Sequence, residues 1–200
     1  MKNSEVLRVL SEYEAYEGLQ EWAENHGGLL QDLWRDCERG DWMLWLAAKA
    51  GVDRRTVVKA ACACARTALV HVPAGEERPR RALELAEAWT RGQAKRAAVR
   101  AAARAGRATF AAGYVSAAAA FAAYAAVAAL SAADDATAYA DYAAVYAADA
   151  AALAAASAAN DDVEIARAQA RAEALADCAE LVRVQIRAAD IEAAKQESEV

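Results

Sequence analysis

Apolar residues recur along this chain every three or four positions, and no segment alternates convincingly with a period of two. That spacing predicts helices and no sheet. In the first half the periodic positions hold Trp, Tyr, Leu and Val, whereas more than half of residues 94–159 are alanine. Alanine has the highest intrinsic helix propensity because it loses no side-chain entropy in a helix. The chain is therefore expected to be organised around its alanine-rich stretch.

Caps and breaks divide the pattern into elements. Asp41 and Asp53 are placed as helix N-caps, and Pro79 fits a first helical turn. The predicted helices cover residues 1–25 (one or two short helices), 29–38, 42–50, 54–71, 79–89, 94–130, 134–159 and 163–189. We expect one all-α domain over residues 1–200, a bundle of antiparallel, alanine-rich helices with an aromatic-rich N-terminal helical cap. Its parts are an N-terminal extension (1–28), Trp-rich helices (29–92), an alanine-rich bundle (93–190) and a frayed tail (191–200).

The few large side chains in the alanine-rich stretch also follow helical spacing. One stripe holds Phe110, Tyr114, Phe121 and Tyr124, and a second holds Tyr139, Tyr142, Tyr146 and Leu153. These side chains are expected to mark the buried faces, because each large side chain contributes roughly 1.5–3 kcal/mol on burial. Asp149 shares the register of the second stripe, so it either bonds a tyrosine hydroxyl or lies exposed.

A membrane span is the main alternative for this region. Residues 115–133 are uncharged over about the length that a bilayer requires. Alanine, however, has little preference between water and lipid, so a buried helix is favoured. Residues 1–17 are acid-rich without an apolar core, so no secretory signal is expected and a cytoplasmic location is the default.

Charge is distributed unevenly. Residues 1–36 have a net charge of −5, residues 78–107 of +7 and residues 108–200 of −9. The basic segment places Arg96, Arg100, Arg104 and Arg107 on one helical face, which is the candidate partner-binding site. It could dock an acidic protein or a nucleic acid, or form a solvated face paired with the acidic C-terminal half. The negative net charge and the lack of interleaved aromatic residues disfavour nucleic acid.

Candidate chemistry is sparse. On a helix, Cys62 and Cys64 point about 200° apart, so they are expected as small core residues, as is Cys178. His26 and His71 fit no ligand spacing, and Asp134–Asp135 and Asp161–Asp162 are explained as helix-start carboxylates. We therefore expect no catalytic residues, no cofactor and no metal.

Five ordered segments carry a family resemblance. They are residues 37–47 (CERGDWMLWLA), 51–55 (GVDRR), 60–66 (AACACAR), 89–92 (WTRG) and 176–183 (ADCAELVR). This set resembles bacterial immunity proteins of the Imm-5-like type, which are associated with polymorphic toxin systems. The resemblance spans roughly residues 29–186 and leaves out those before about residue 24.

The resemblance implies an all-helical, non-enzymatic protein that binds and neutralises a cognate toxin. Acidic surfaces would suit a basic toxin such as a nuclease. The family's binding residues do not transfer to positions here, and Trp42 and Trp45 are expected in the core. Two alternatives stay open. One is a helical scaffold whose alanine faces pair in a homo-oligomer, and the other is nucleic-acid binding through the basic face.

Overall fold

Helices form nearly all the regular structure that the computed structural model describes, which covers residues 1–99, 101–102, 124–125, 127–129, 131–132, 135–159 and 162–198. The helices are α1 (Asn3–Glu12), α2 (Glu17–His26), α3 (Leu30–Asp36), α4 (Gly40–Lys49), α5 (Arg54–Thr67), a 3-10 helix (Ala68–His71), α6 (Arg78–Thr90), α7 (Ala136–Ala158), α8 (Val163–Gln185) and α9 (Ala188–Ser198). Across these ranges the only β pairing is an isolated antiparallel bridge between Lys2 and Leu29. The predicted all-α bundle is confirmed.

Four helices form the centre of the bundle. In this group of α4, α5, α7 and α8, each helix packs against the other three, and α6 lies against α5. Helix α4 buries almost its whole circumference, including Leu44 and Met43, because helices surround it. Helices α1 to α3 cover its remaining side and enclose an apolar cavity of about 20 Å³ with it. Among the described residues, the large side chains that are fully buried belong mainly to the Trp-rich helices and to the first and last helices, rather than to α7.

Helix α7 buries alanine rather than tyrosine. Its buried positions are Ala136, Ala140, Asp141, Ala143, Ala144, Ala147, Ala148, Ala150 and Ala152. Tyr142 is exposed, and Tyr139, Tyr146 and Leu153 are half-buried, so the prediction that this stripe marks the buried face is wrong. Three neighbouring helices crowd α7, and only small side chains let their backbones approach closely. The first stripe, apart from the half-buried Tyr124, lies outside the described residues.

Two of the predicted helix-start carboxylates act as caps. The Asp53 carboxylate accepts the Thr56 amide at 3.0 Å, and Asp135 accepts two amides at the start of α7. Asp162 lies directly before α8, but its side chain makes no cap hydrogen bond, and Asp161 is outside the described residues. Asp41 is not a cap, because α4 begins one residue earlier, at Gly40. Its carboxylate is buried and takes a two-pronged hydrogen bond from Arg39, at 2.9 and 2.6 Å.

The first and last helices, α1 and α9, are both packed into the bundle. The apolar side chains of α1 belong to the same core cluster as those of α4, so residues 1–28 are an integral part of the domain. The predicted frayed tail is wrong: α9 is helical to Ser198 because Ile191 is buried and the Met1 amino group pairs with Glu192. The predicted helix over 163–189 is interrupted at Ile186, where the backbone is extended.

A bilayer-spanning helix is not found among the described residues, since none there combines sufficient length with sufficient apolarity. Most of residues 115–133 lies outside that set.

Candidate docking groove

Helix α5 has an apolar face toward the core and a basic face toward solvent. Its start is fixed by the Asp53 cap, and its core face holds Val57, Val58, Ala61 and Ala65. The opposite face follows steps of four, four and three residues, which place side chains in one row on a helix. That row consists of Arg55, Lys59, Ala63 and Arg66. The small side chain of Ala63 leaves space between the longer side chains of Lys59 and Arg66.

The end of α6 forms the second wall of a groove. Glu87, Thr90 and Arg91 face α5 across it, and Gln185 from the end of α8 closes one side. We call this feature the α5–α6 groove, lined by Arg55, Thr56, Lys59, Ala63, Arg66, Glu87, Thr90, Arg91 and Gln185. It has a volume of about 500 Å³ and is open to solvent. That volume lies within the range of about 300–1,000 Å³ that ligand pockets occupy.

One ion pair fixes the two walls relative to each other. The Arg66 guanidinium donates to both carboxylate oxygens of Glu87, at 2.5 and 2.7 Å. The hydrogen bonds that Arg66 donates to this carboxylate raise the pKa of Arg66. Thr90 Oγ1 donates to the Glu87 carbonyl at 2.7 Å, which ties down the last turn of α6. Within the groove, the negative charge of Glu87 is therefore balanced by Arg66.

The other three cations of the groove differ from Arg66. In the described part of the chain, Arg55, Lys59 and Arg91 make no ion pair. Arg55 lies over the Trp89 ring, 5.8 Å from its centroid, and Arg91 Nε donates to the Gln93 amide oxygen at 2.9 Å. Four cations and one carboxylate give the groove a formal charge of +3. Its exposed donors can therefore bind carboxylates or phosphates.

The predicted basic face is only partly visible. Arg96 is helical and exposed, whereas Arg100, Arg104 and Arg107 lie outside the described residues. That face stays a prediction. The sequence alone, through its helical period, puts Arg55, Lys59 and Arg66 on the side of α5 opposite its buried valines. It gave no sign of the groove, because the pairing with α6 depends on how the two helices cross.

All four cysteines are free thiols in the core, as predicted for Cys62, Cys64 and Cys178. Both Cys62 and Cys64 are buried despite pointing apart, because α5 has helices on several sides. Cys64 Sγ donates to the Cys178 carbonyl at 3.7 Å. Burial raises the pKa of Cys62 to about 12 and that of Cys37 to about 11. No three His, Cys, Asp or Glu side chains converge to hold a metal in the regions described.

A partly buried polar cluster joins α4, α7 and the loop before α2, with Asp141 buried and Tyr16 exposed. Tyr16 donates its hydroxyl to the Asp141 carboxylate at 2.6 Å, and its ring contacts Trp45 with centroids 5.8 Å apart. Burial raises the pKa of Asp141, and the nearby charge of Asp41 adds to that effect. A tyrosine–aspartate pair, one of the two alternatives for Asp149, is thus found at Asp141. Asp149 instead accepts a hydrogen bond from Arg171 of α8 at 2.9 Å.

The two histidines lie apart, and neither is in the groove. His26 is 3.1 Å from the Asp36 carboxylate and rests against the Trp22 ring. His71 ends the 3-10 helix, where burial lowers its pKa. Trp45 is buried and Trp42 half-buried under the Arg39 guanidinium, so Trp45 meets the core expectation fully and Trp42 in part.

Comparison of the chain with family models, with curated proteins and with solved structures gives no match.

Proposed function

We propose that this protein is an immunity-type binder that neutralises a cognate bacterial toxin by stoichiometric association, without catalysis. The observation that carries the proposal is the ordered set of five segments between Cys37 and Arg183 that resembles Imm-5-like immunity proteins. The fold and the groove add two supporting arguments.

The outermost segments of that set pack on each other. Gly40 lies directly against Cys178, so close that a Cβ atom on Gly40 would be 2.5 Å from the Cys178 Cβ. Arg183 donates to the carbonyls of Cys37 and Trp34, at 2.8 and 3.0 Å. Residues about 140 positions apart in the sequence thus form one structural unit. The segments at the two ends of the resemblance therefore belong to one packed core.

The other three segments of the set border the α5–α6 groove. Arg55 belongs to residues 51–55, Ala63 and Arg66 to residues 60–66, and Thr90 and Arg91 to residues 89–92. A stoichiometric inhibitor needs a preformed surface, because ordering a surface on binding costs affinity. The Arg66–Glu87 pair and the packed α5 scaffold provide such a surface.

The alternative of a scaffold that pairs alanine faces between subunits has less support for α7. The alanine face of this helix is already buried within the chain against α4, α5 and α8. It is therefore not available to a second copy without unfolding the bundle.

Titration of the toxin domain encoded beside this gene tests the proposal. The purified chain should form a complex with that domain and abolish its activity at an equimolar ratio, and activity should return when the complex is dissociated. An absence of complex at micromolar concentrations would contradict the proposal. Inactivation by far less than one equivalent would also contradict it, because turnover would then indicate catalysis.

A further inference from the structure

We infer that the α5–α6 groove receives an extended acidic segment of the partner protein. The inference rests on the proposed function for the identity of that partner, and it adds the surface and the chemistry of recognition. It assigns the contact to the groove rather than to the basic face predicted from Arg96 onward.

The spacing of the cations sets the shape of the occupant. Arg55 and Lys59, the cations of the α5 row that make no ion pair in the described part of the chain, are four residues apart, which corresponds to about 6 Å along the helix axis. A chain in extended conformation covers that distance in about two residues and directs alternate side chains to the same side. Two acidic side chains could thus face Arg55 and Lys59, and Arg91 lies on the other wall of the groove. A single small anion would use only part of this set.

The donor chemistry fits carboxylates. Arginine presents a planar fork that matches a carboxylate in two-pronged geometry, as the Arg66–Glu87 pair in the same groove does. Arg55 and Arg91 have guanidinium nitrogens without a carboxylate partner in the described part of the chain. Lys59 adds a point charge between them. A partner carboxylate would therefore find donors that need not first break an internal ion pair.

A protein segment fits the groove better than a nucleic-acid strand. Single-stranded nucleic acids are usually bound through aromatic rings on which bases stack. None of the described residues that line the groove is aromatic, and the Trp89 ring on α6 has Arg55 over it. The chain as a whole carries a net charge of −6, which repels a uniform polyanion. Glu17, Glu21 and Glu24 are exposed on one face of α2 and add to that repulsion. A basic protein that carries one acidic segment would avoid this repulsion, because the rest of its surface is attracted to the negative chain.

Fluorescence anisotropy with two labelled probes tests the groove directly. One probe is a short peptide in which Glu alternates with Ser, and the other is a single-stranded oligonucleotide of equal charge. The peptide should bind the intact chain more tightly than the oligonucleotide. The double variant Lys59→Glu with Arg91→Glu should bind the peptide about tenfold more weakly or worse, because attraction becomes repulsion at two positions. The milder pair Lys59→Gln with Arg91→Gln should give a smaller loss in the same direction.

Arg167→Glu is the matched control. Arg167 is exposed on α8, 18 residues before Gln185, or about 27 Å along the helix axis. This variant should leave peptide affinity unchanged, and circular dichroism melts should show that all variants keep the fold. Equal peptide binding by the groove variants and the control would overturn the inference. Tighter binding of the oligonucleotide would also overturn it.

A parallel titration with the toxin domain separates the two proposals. If the intact chain neutralises the toxin and the groove variants do so equally well, the inference is wrong while the proposed function stands. If only Glu21→Lys on α2 abolishes neutralisation, the interface is the acidic face and the inference is again wrong. If the intact chain fails to bind the toxin but binds the peptide through Lys59 and Arg91, the proposed function fails and the groove chemistry stands.

Discussion

Helices α4 and α7 pack against each other in the centre of the bundle, but they bury opposite kinds of side chain. Helix α4 buries Met43, Leu44, Trp45 and Leu46, each of which removes much apolar surface from water. Helix α7 buries alanines over four turns, and each of these removes little. A large side chain gains energy from its own burial, whereas an alanine contributes by letting neighbouring backbones approach. The two helices should therefore respond to substitution in opposite ways.

Truncation in α4 should have the largest effect. Leu44 has no exposed surface, so Leu44→Ala removes buried methyl groups and leaves a cavity. The free energy of unfolding should fall by about 2–5 kcal/mol, as measured by denaturant titration. The control Val184→Ala, at a position 78% exposed on α8, should change it by less than about 0.5 kcal/mol. Equal losses in both variants would show that α4 is not a tightly packed element.

The second-largest effect is expected where the start of α4 lies in close contact with α8. A Cβ atom at Gly40 would be 2.7 Å from the Cys178 carbonyl carbon and 2.8 Å from the Ala179 nitrogen, and neither backbone atom can move alone. Gly40→Ala should therefore lower the free energy of unfolding by about 3 kcal/mol, the upper end for overpacking. In the control Gly18→Ala the nearest atom is a Trp42 ring carbon at 3.4 Å, an ordinary contact. That variant should be neutral or slightly stabilising, and a loss comparable to that of Gly40→Ala would refute the steric explanation.

In α7 a larger side chain should lower the free energy of unfolding, whereas in α4 a smaller side chain should lower it. Ala144 is fully buried among neighbouring helices, so Ala144→Leu should overpack the contact and reduce the free energy of unfolding by about 1–3 kcal/mol. Ala138→Leu makes the same change at an exposed position of the same helix and should alter it by less than about 0.5 kcal/mol. Thermal melts of the two variants compare them directly. A stabilised Ala144→Leu would mean that the α7 contacts are loose.

The smallest effect concerns pH. Burial raises the pKa of Asp141, so its ionised form is disfavoured in the folded state. The free energy of unfolding should fall as pH rises. The fall should begin at the ordinary aspartate pKa, about 3.9, and end above the raised pKa of Asp141 in the folded chain. Asp141→Asn removes that charge and keeps an acceptor for the Tyr16 hydroxyl, so its unfolding midpoint should decline less over this pH range. An identical decline in both proteins would exclude Asp141 as the titrating group.

The alanine-rich stretch shows where sequence reasoning succeeded and where it failed. Helix propensity and period placed α7 within two residues of its observed bounds, because both are local properties. The buried face was assigned wrongly, since the largest side chains were taken to point inward. In α7 the tyrosines instead border the contact, and Tyr142 stacks on Tyr146 with ring centroids 5.6 Å apart. Which face is buried depended on how many helices surround α7.

The groove illustrates the same limit for the candidate site. The row of Arg55, Lys59 and Arg66 was visible in the sequence as a solvent-facing basic row. Its partners Glu87 and Arg91 were visible only as members of the next helix. A groove exists because α5 and α6 cross at those residues, and crossing geometry is set by packing of both helices on the rest of the bundle.

The sequence by itself determined the helical class, most helix limits and the burial of the cysteines, because propensity, capping and hydrophobic period act over a few residues. Only the tertiary structure decided that α7 turns alanine inward, that residues 191–198 form a packed helix and that four cations line one groove. Each of these depends on contacts between residues far apart in the chain, and such contacts are governed by shape and distance rather than by local composition.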